Sequence, residues 1–188
     1  MMLTDLLMYL VLPLWVLAGL ADCWFHRRTA IESTTGVRES VFHLTMFFQM
    51  SMGALAALLL EINLAVLVFL GMLFLLHELT TWLELRWVRG KRDLLAGEQM
   101  VHSFLELLPL FAVLGLVALH AEAFGRWNHV DEWRLGWKAA PLPRGYLLAA
   151  GGAVLALNLL PLLVEFRRCL RARSILHRPP LPLYLDSP

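Results

Sequence analysis

The chain has 188 residues, 59% of them hydrophobic and 16% charged, with a mean hydropathy of +0.65 and a formal net charge of +1. That composition lies outside the range of soluble domains and identifies an all-α integral membrane protein. The near-neutral charge argues against non-specific nucleic-acid binding, so no nucleic-acid partner is expected.

Charge-free stretches predict five transmembrane helices, over residues 3–24, 38–60, 62–83, 98–119 and 145–164. Each is near the roughly 20 residues needed to cross a hydrocarbon core about 30 Å thick. Span 1 lacks a basic leader and a small-residue cleavage site before Asp22, so it reads as a retained helix rather than a signal peptide. Before span 2, the turn-like run 33–36 either breaks an early helix, leaving Glu32 in a loop, or lets Glu32, Glu39 and His43 form one stripe. Spans 2 and 3 are joined only by Glu61, Ile62 and Asn63, which forces an antiparallel hairpin, with Gly53, Ala54 and Ala57 offering small surfaces for close approach. Gln49 and Asn158 read as interhelical hydrogen-bonders, and Met46, Met50 and Met52 as apolar packing.

The loop over residues 121–143 carries Trp127, Trp133 and Trp137 among charges, the pattern of a segment anchored in the membrane interface. In span 5, Gly151 and Gly152 suit close packing, either to complete a cavity or to form a homodimer surface. Residues 1–166 form a single membrane domain, and 167–188 a basic, then proline-rich, cytoplasmic tail that is expected to be extended. Twelve Lys and Arg residues fall in the first and third loops and the tail. Only Arg126, Arg134, Lys138 and Arg144 lie in the loop between spans 4 and 5. The positive-inside rule then places the N-terminus outside and the C-terminus in the cytoplasm of a cell (inner) membrane. Cys23 and Cys169 both face the reducing side, and no disulfide is expected.

With this topology, four groups of ionisable residues converge at the cytoplasmic ends of spans 1–4: Asp22/His26, Glu32/Glu39/His43, His77/Glu78 and Glu98/His102/Glu106. Three contain a carboxylate four residues before a histidine, which puts both side chains on one helix face, one turn apart. Ionisable groups at membrane depth are costly and rarely accumulate without a partner. The expected arrangement is an antiparallel four-helix bundle of spans 1–4 around a metal site, with span 5 beside it. Asp22, His26, Glu39, His43, His77, Glu98 and His102 are the principal ligand candidates; Glu32, Glu78 and Glu106 stand in reserve. Glu84 shares a face with His77 or pairs with nearby arginines, and Glu165 can reach the ligands from behind. So many ligands suggest two metal ions. Oxygen and nitrogen donors without thiolate suit iron, with manganese or zinc as alternatives.

The ligand chemistry, though not the rest of the chain, resembles the non-haem di-iron proteins: ferritin-like oxygenases, alternative oxidase and membrane fatty-acid hydroxylases and desaturases. The spacing differs, since the ferritin-like pattern pairs Glu and His at i, i+3 rather than i, i+4, and the multi-histidine boxes of membrane desaturases are absent. The resemblance implies dioxygen activation on a hydrophobic, lipid-like substrate. Electrons would come from an external donor, because no flavin or nicotinamide fingerprint is present. A zinc-dependent membrane lipid hydrolase, with Glu106 or Glu32 moving the proton, and a metal-ion or proton carrier are the alternatives.

Overall fold

The structure, a computed structural model, describes residues 2–176; the proline-rich end of the tail, 177–188, lies outside the described residues. The chain is all-helical, with 82% of residues in helix. Five helices are long and apolar enough to cross a membrane: α1 (Met2–Arg28), α2 (Val37–Leu59), α3 (Leu64–Val88), α4 (Ala96–Leu119) and α5 (Arg144–Ser174). Each predicted span is found, and three helices run a turn or more past it. Counting charge-free residues stops where polar side chains begin, whereas α1, α3 and α5 continue through those residues because their polar groups find partners across the bundle. The first ten residues of the predicted tail are therefore the last turns of the helix ending at Leu176.

The α2–α3 hairpin is the tightest unit. Asn63 caps α3 by accepting the Val66 N–H at 3.1 Å, and Ala56, Val66 and Leu70 form a buried apolar cluster behind the turn. The helices pass closely at Gly53, where an added Cβ would make ordinary contact with Leu70 at 3.5 Å. The tryptophan-rich loop is fastened to this hairpin. Lys138 Nζ donates to the Leu60 carbonyl at 2.7 Å, Glu132 accepts the Leu64 N–H at 3.3 Å, and Arg126 donates to Glu132 at 2.6 Å. Burial lowers the Lys138 pKa, with Glu61 opposing the shift.

The helices pack as a ring in which α1 lies between α4 and α5, α2 between α5 and α3, and α3 between α2 and α4. This departs from the expectation that spans 1–4 enclose the site with span 5 beside them: α5 is inserted between α1 and α2. Two π-helical turns, Leu7–Val11 and Leu155–Leu159, interrupt α1 and α5. The second carries Asn158, whose Nδ2 donates to the Val16 carbonyl at 3.0 Å across the α1–α5 contact. Gly19 opposite leaves the room, because a Cβ there would overlap the Asn158 amide. Gln49 likewise donates to Thr80 at 3.0 Å between α2 and α3.

The distribution of burial is inverted relative to a soluble bundle. Large apolar side chains such as Met72, Leu75 and Phe111 face outward, while Asp22, His26, Glu39, His43, Glu84, Glu98 and Glu165 are buried. Apolar surface gains nothing by leaving lipid, so the helices are held together by close packing and by polar contacts inside the ring.

Candidate metal centre

The last turns of α1 supply Asp22 and His26, and the first turns of α2 supply Glu39 and His43. Glu84 comes from the end of α3, Glu98 and His102 from the start of α4, and Glu165 from α5. Alternate helices run in opposite directions, so these ends meet at one level. Glu39 and Glu98 also lie in first turns, where the positive end of the helix dipole favours a carboxylate.

At the centre the His26 and His43 rings stack with centroids 4.2 Å apart and planes 5° from parallel. Glu165 spans both, one oxygen 3.0 Å from Nδ1 of His26 and the other 2.9 Å from Nδ1 of His43. Both Nε2 atoms are thereby left for other partners. His43 Nε2 lies 2.6 Å from Glu84 Oε1 and 4.0 Å from Glu39 Oε1. His26 Nε2 lies 3.4 Å from Asp22 Oδ1 and 3.6 Å from Glu98 Oε1. It is buried without a hydrogen-bond partner. His102 Nε2 completes the cluster, 2.9 Å from Asp22 Oδ1.

A loop arginine closes the centre. Gly90, at φ +79°, provides the left-handed turn after α3. Arg92 then reaches in with a side chain only 4% exposed. Its guanidinium lies 2.5 Å from Glu39 Oε1 and 2.6 Å from Glu98 Oε1, with further contacts at 3.2 Å to Glu39 and 3.1 Å to Glu98. Thr35 donates to the other oxygen of Glu39, and Glu98 also accepts the Leu95 N–H at 3.3 Å. Burial by itself would lower the Arg92 pKa, but the hydrogen bonds and charges of Glu98 and Glu39 raise it above the ordinary arginine value.

Asp22, Glu39, Glu84, Glu98 and Glu165 are all buried, and they meet three imidazoles and the Arg92 guanidinium. Divalent cations would add countercharge to this carboxylate-rich set. Buried charge persists only when paired. Two ligand groups suit such ions: Asp22–His26–His102 and Glu39–His43–Glu84, the candidate atoms of each lying within 4.8 Å of one another. Glu165 also clusters with His26 and His43, but on their Nδ1 side. There it fixes ring orientation, the place a carboxylate takes behind a metal-ligating histidine. Cys23 and Cys169 are free thiols and contribute to none of these groups. The donors are oxygen and imidazole nitrogen, a set suited to iron or manganese and also accepted by zinc.

Not every predicted ligand gathers here. The run 33–36 does break the chain before α2: Ile31–Ser33 is an isolated 3-10 turn and Gly36 has φ +65°. Glu32 is consequently turned away, 3.4 Å from Arg168 on α5. His77 is buried but lies two helical turns from Glu84 along α3, lining a cavity rather than the carboxylate cluster. Glu78 is half-buried and belongs to no ligand group among the described residues. Glu98 joins the cluster chiefly through Arg92, and Glu106 lines the cavity one turn beyond His102. Glu84 meets His43, not the neighbouring arginines, and Glu165 stands at the centre.

The cavity, of about 510 Å³, opens from Asp22, His43, Glu84 and His102 and continues between α1, α2 and α5. Beyond His77, Thr81 and Glu106 its lining is dominated by apolar residues, including Trp15, Met50, Leu58 and Leu155. The Glu165→Gln variant keeps the side chain's size but cannot accept from both Nδ1 atoms as a carboxylate. It is expected to weaken metal binding about 10–100-fold without changing the helix content. Competition against a chelator of known affinity, with circular dichroism alongside, measures both.

Comparison with protein-family models, curated proteins and solved structures gives no match.

Proposed function

We propose that this is a membrane-embedded dimetal oxidoreductase, with two iron ions held by the Asp22–His26–His102 and Glu39–His43–Glu84 groups, acting on a hydrophobic, lipid-like substrate. The observation that carries this reading is the buried cluster of carboxylates and imidazoles at the head of a largely apolar cavity. The positive-inside bias of the loops supports an orientation with this end facing the cytoplasm and the N-terminus outside a cell membrane. Iron would supply dioxygen activation; the chain's own part is to hold the ligands, exclude water and present the substrate.

Hydroxylation would insert one oxygen atom into a C–H bond and release the other as water, taking two electrons and two protons. Desaturation would remove two hydrogens and, with the same two electrons and two protons, release two waters. The electrons would come from an external donor. Glu106, lining the cavity one turn beyond His102, is placed to carry protons between the cavity and the ligands.

Elemental analysis with optical and Mössbauer spectra on anaerobically purified protein, before and after exposure to air, tests the assignment. The expected result is two irons per chain and a spectral change on admitting oxygen. Stoichiometric zinc indifferent to air would replace the reading with hydrolysis of a membrane lipid, and absence of bound metal would replace it with a proton or ion pathway.

A further inference from the structure

We infer that the cavity takes up a hydrocarbon chain of a bilayer lipid, methyl end first, through a side opening between α2 and the outer half of α5, so that carbons near the methyl end are brought to the metal centre. Uptake of the chain needs no metal; chemistry at its methyl end rests on the reading proposed above.

The opening follows from how α5 is fastened. Its last part, Leu160–Leu176, packs on α2, whereas residues 144–159 lean on α1. Three contacts hold that outer half to α1. The Tyr146 hydroxyl donates to the Met8 carbonyl at 3.0 Å, the Tyr9 and Tyr146 rings meet edge to face with centroids 5.6 Å apart, and Asn158 donates to the Val16 carbonyl at 3.0 Å. The outer half of α2 is held by its hairpin with α3, so α2 and α5 part beyond the metal centre. Phe48, Met52 and Leu55, one stripe of α2 at i, i+4 and i+7, and Leu155 on α5 line the cavity, yet each is more than half exposed. Side chains that face both the cavity and the outside are the lips of an opening. Gly151, one turn before Leu155, does not narrow it, and an added Cβ there meets no atom within 4 Å. The lips on α2 stand about 8–18 Å beyond His43 along the helix. They lie within a hydrocarbon core about 30 Å thick, so what meets the opening is lipid chain and not water.

The lining decides what enters and which way round. From Leu12 and Trp15 to Leu58 and Val154 the outer part of the cavity is apolar. Water there would lack polar partners, and an empty trough would forfeit dispersion contacts along its walls. A chain sliding in from the bilayer exchanges one apolar surrounding for another. The inner end is the opposite: Asp22, Glu84 and Glu106 line it, and no lysine or arginine lines any part of the cavity. A phosphate or carboxylate head would have to cross the apolar stretch and then meet carboxylates, so the head stays outside and the chain leads. Met46, Leu105 and Leu162, about one turn from His43, His102 and Glu165, form the end that the chain reaches.

Photolabelling of the full chain in phosphatidylcholine vesicles tests this. The probe is phosphatidylcholine carrying a diazirine either at the methyl end of one chain or beside its ester, with labelled residues identified by mass spectrometry. The methyl-end probe should label Met46, Leu105 or Leu162, and the ester-side probe should leave them unlabelled. Gly151→Trp fills the opening and should abolish this inner labelling, while labelling of the outward-facing Met72 and Leu75 is unchanged. Met52→Trp makes the same block from the α2 lip and keeps the test decisive where circular dichroism shows that Gly151→Trp disturbs the helices. Inner labelling that persists in both variants, equal inner labelling by the ester-side probe, or no inner labelling by the methyl-end probe would overturn the inference. Repeating the experiment after chelation separates it from the reaction. Inner labelling of a protein that purifies without iron leaves this inference standing and removes the oxidoreductase, and bound iron without inner labelling removes this inference alone.

Discussion

Replacing His43 with alanine is expected to abolish the metal retention proposed above and to destabilise the protein by about 3–5 kcal/mol, the range found when one member of a buried charge network is removed. The reason lies in its contacts. The imidazole separates Glu84, 2.6 Å from Nε2, from Glu165, 2.9 Å from Nδ1, and it stacks on His26 at 4.2 Å. Without the ring one ligand group loses its only histidine, Glu165 loses one of the two rings it orients, and two buried carboxylates face an unfilled space. Metal content per chain by elemental analysis and thermal unfolding in detergent report the two effects. His129→Ala, in the exposed part of the outer loop, should retain full metal content and the parent melting temperature. Equal occupancy in both variants would overturn this ligand assignment.

How much of this was legible in the sequence depends on the kind of signal each residue carries. The five helices follow from long apolar runs, and the convergence of Asp22, His26, Glu39, His43 and His102 follows from i, i+4 spacing combined with alternating span direction. Those are local patterns joined to one topological rule. Glu32 illustrates the limit: its match to a helical stripe with Glu39 holds only if the helix begins before residue 33, and the left-handed Gly36 prevents that. His77 shows a related limit. Periodicity gives the face of a residue but not its depth against the neighbouring helices, and depth moves His77 from the cluster into the cavity. Glu84 could have been preferred by its depth at the end of α3, level with His43. Glu165 carried a weak signal, a carboxylate at the end of an apolar span, but its central position depends on α5 entering the ring between α1 and α2, which short-range patterns do not encode. Arg92 carried none, since in sequence it is one of four cations in a loop that already satisfies the positive-inside rule.

Arg92→Met is expected to move stability and metal affinity in opposite directions. In the metal-free protein the guanidinium alone bridges Glu39 and Glu98, at 2.5 and 2.6 Å, and both carboxylate side chains are completely buried. Its removal leaves two neighbouring buried anions without their cation, a loss of about 3–5 kcal/mol. The double variant Arg92→Met/Glu98→Met should recover much of that loss, because apolar groups of similar size can replace a buried ion pair at little net cost. Metal binding responds with the other sign. Arg92 occupies Glu39 Oε1, an oxygen otherwise available to the Glu39–His43–Glu84 group, and it offsets part of the negative charge that attracts the ions. Without it, the second ion should bind more tightly, and added metal should restore melting temperature more steeply than in the parent protein, since a ligand that binds only the folded state stabilises it in proportion to its affinity. Thermal melts across a metal titration, run for the parent and the variant together, separate the two terms. Loss of metal in Arg92→Met would instead make the arginine a builder of the site, holding the carboxylates in position for the ions rather than competing with them.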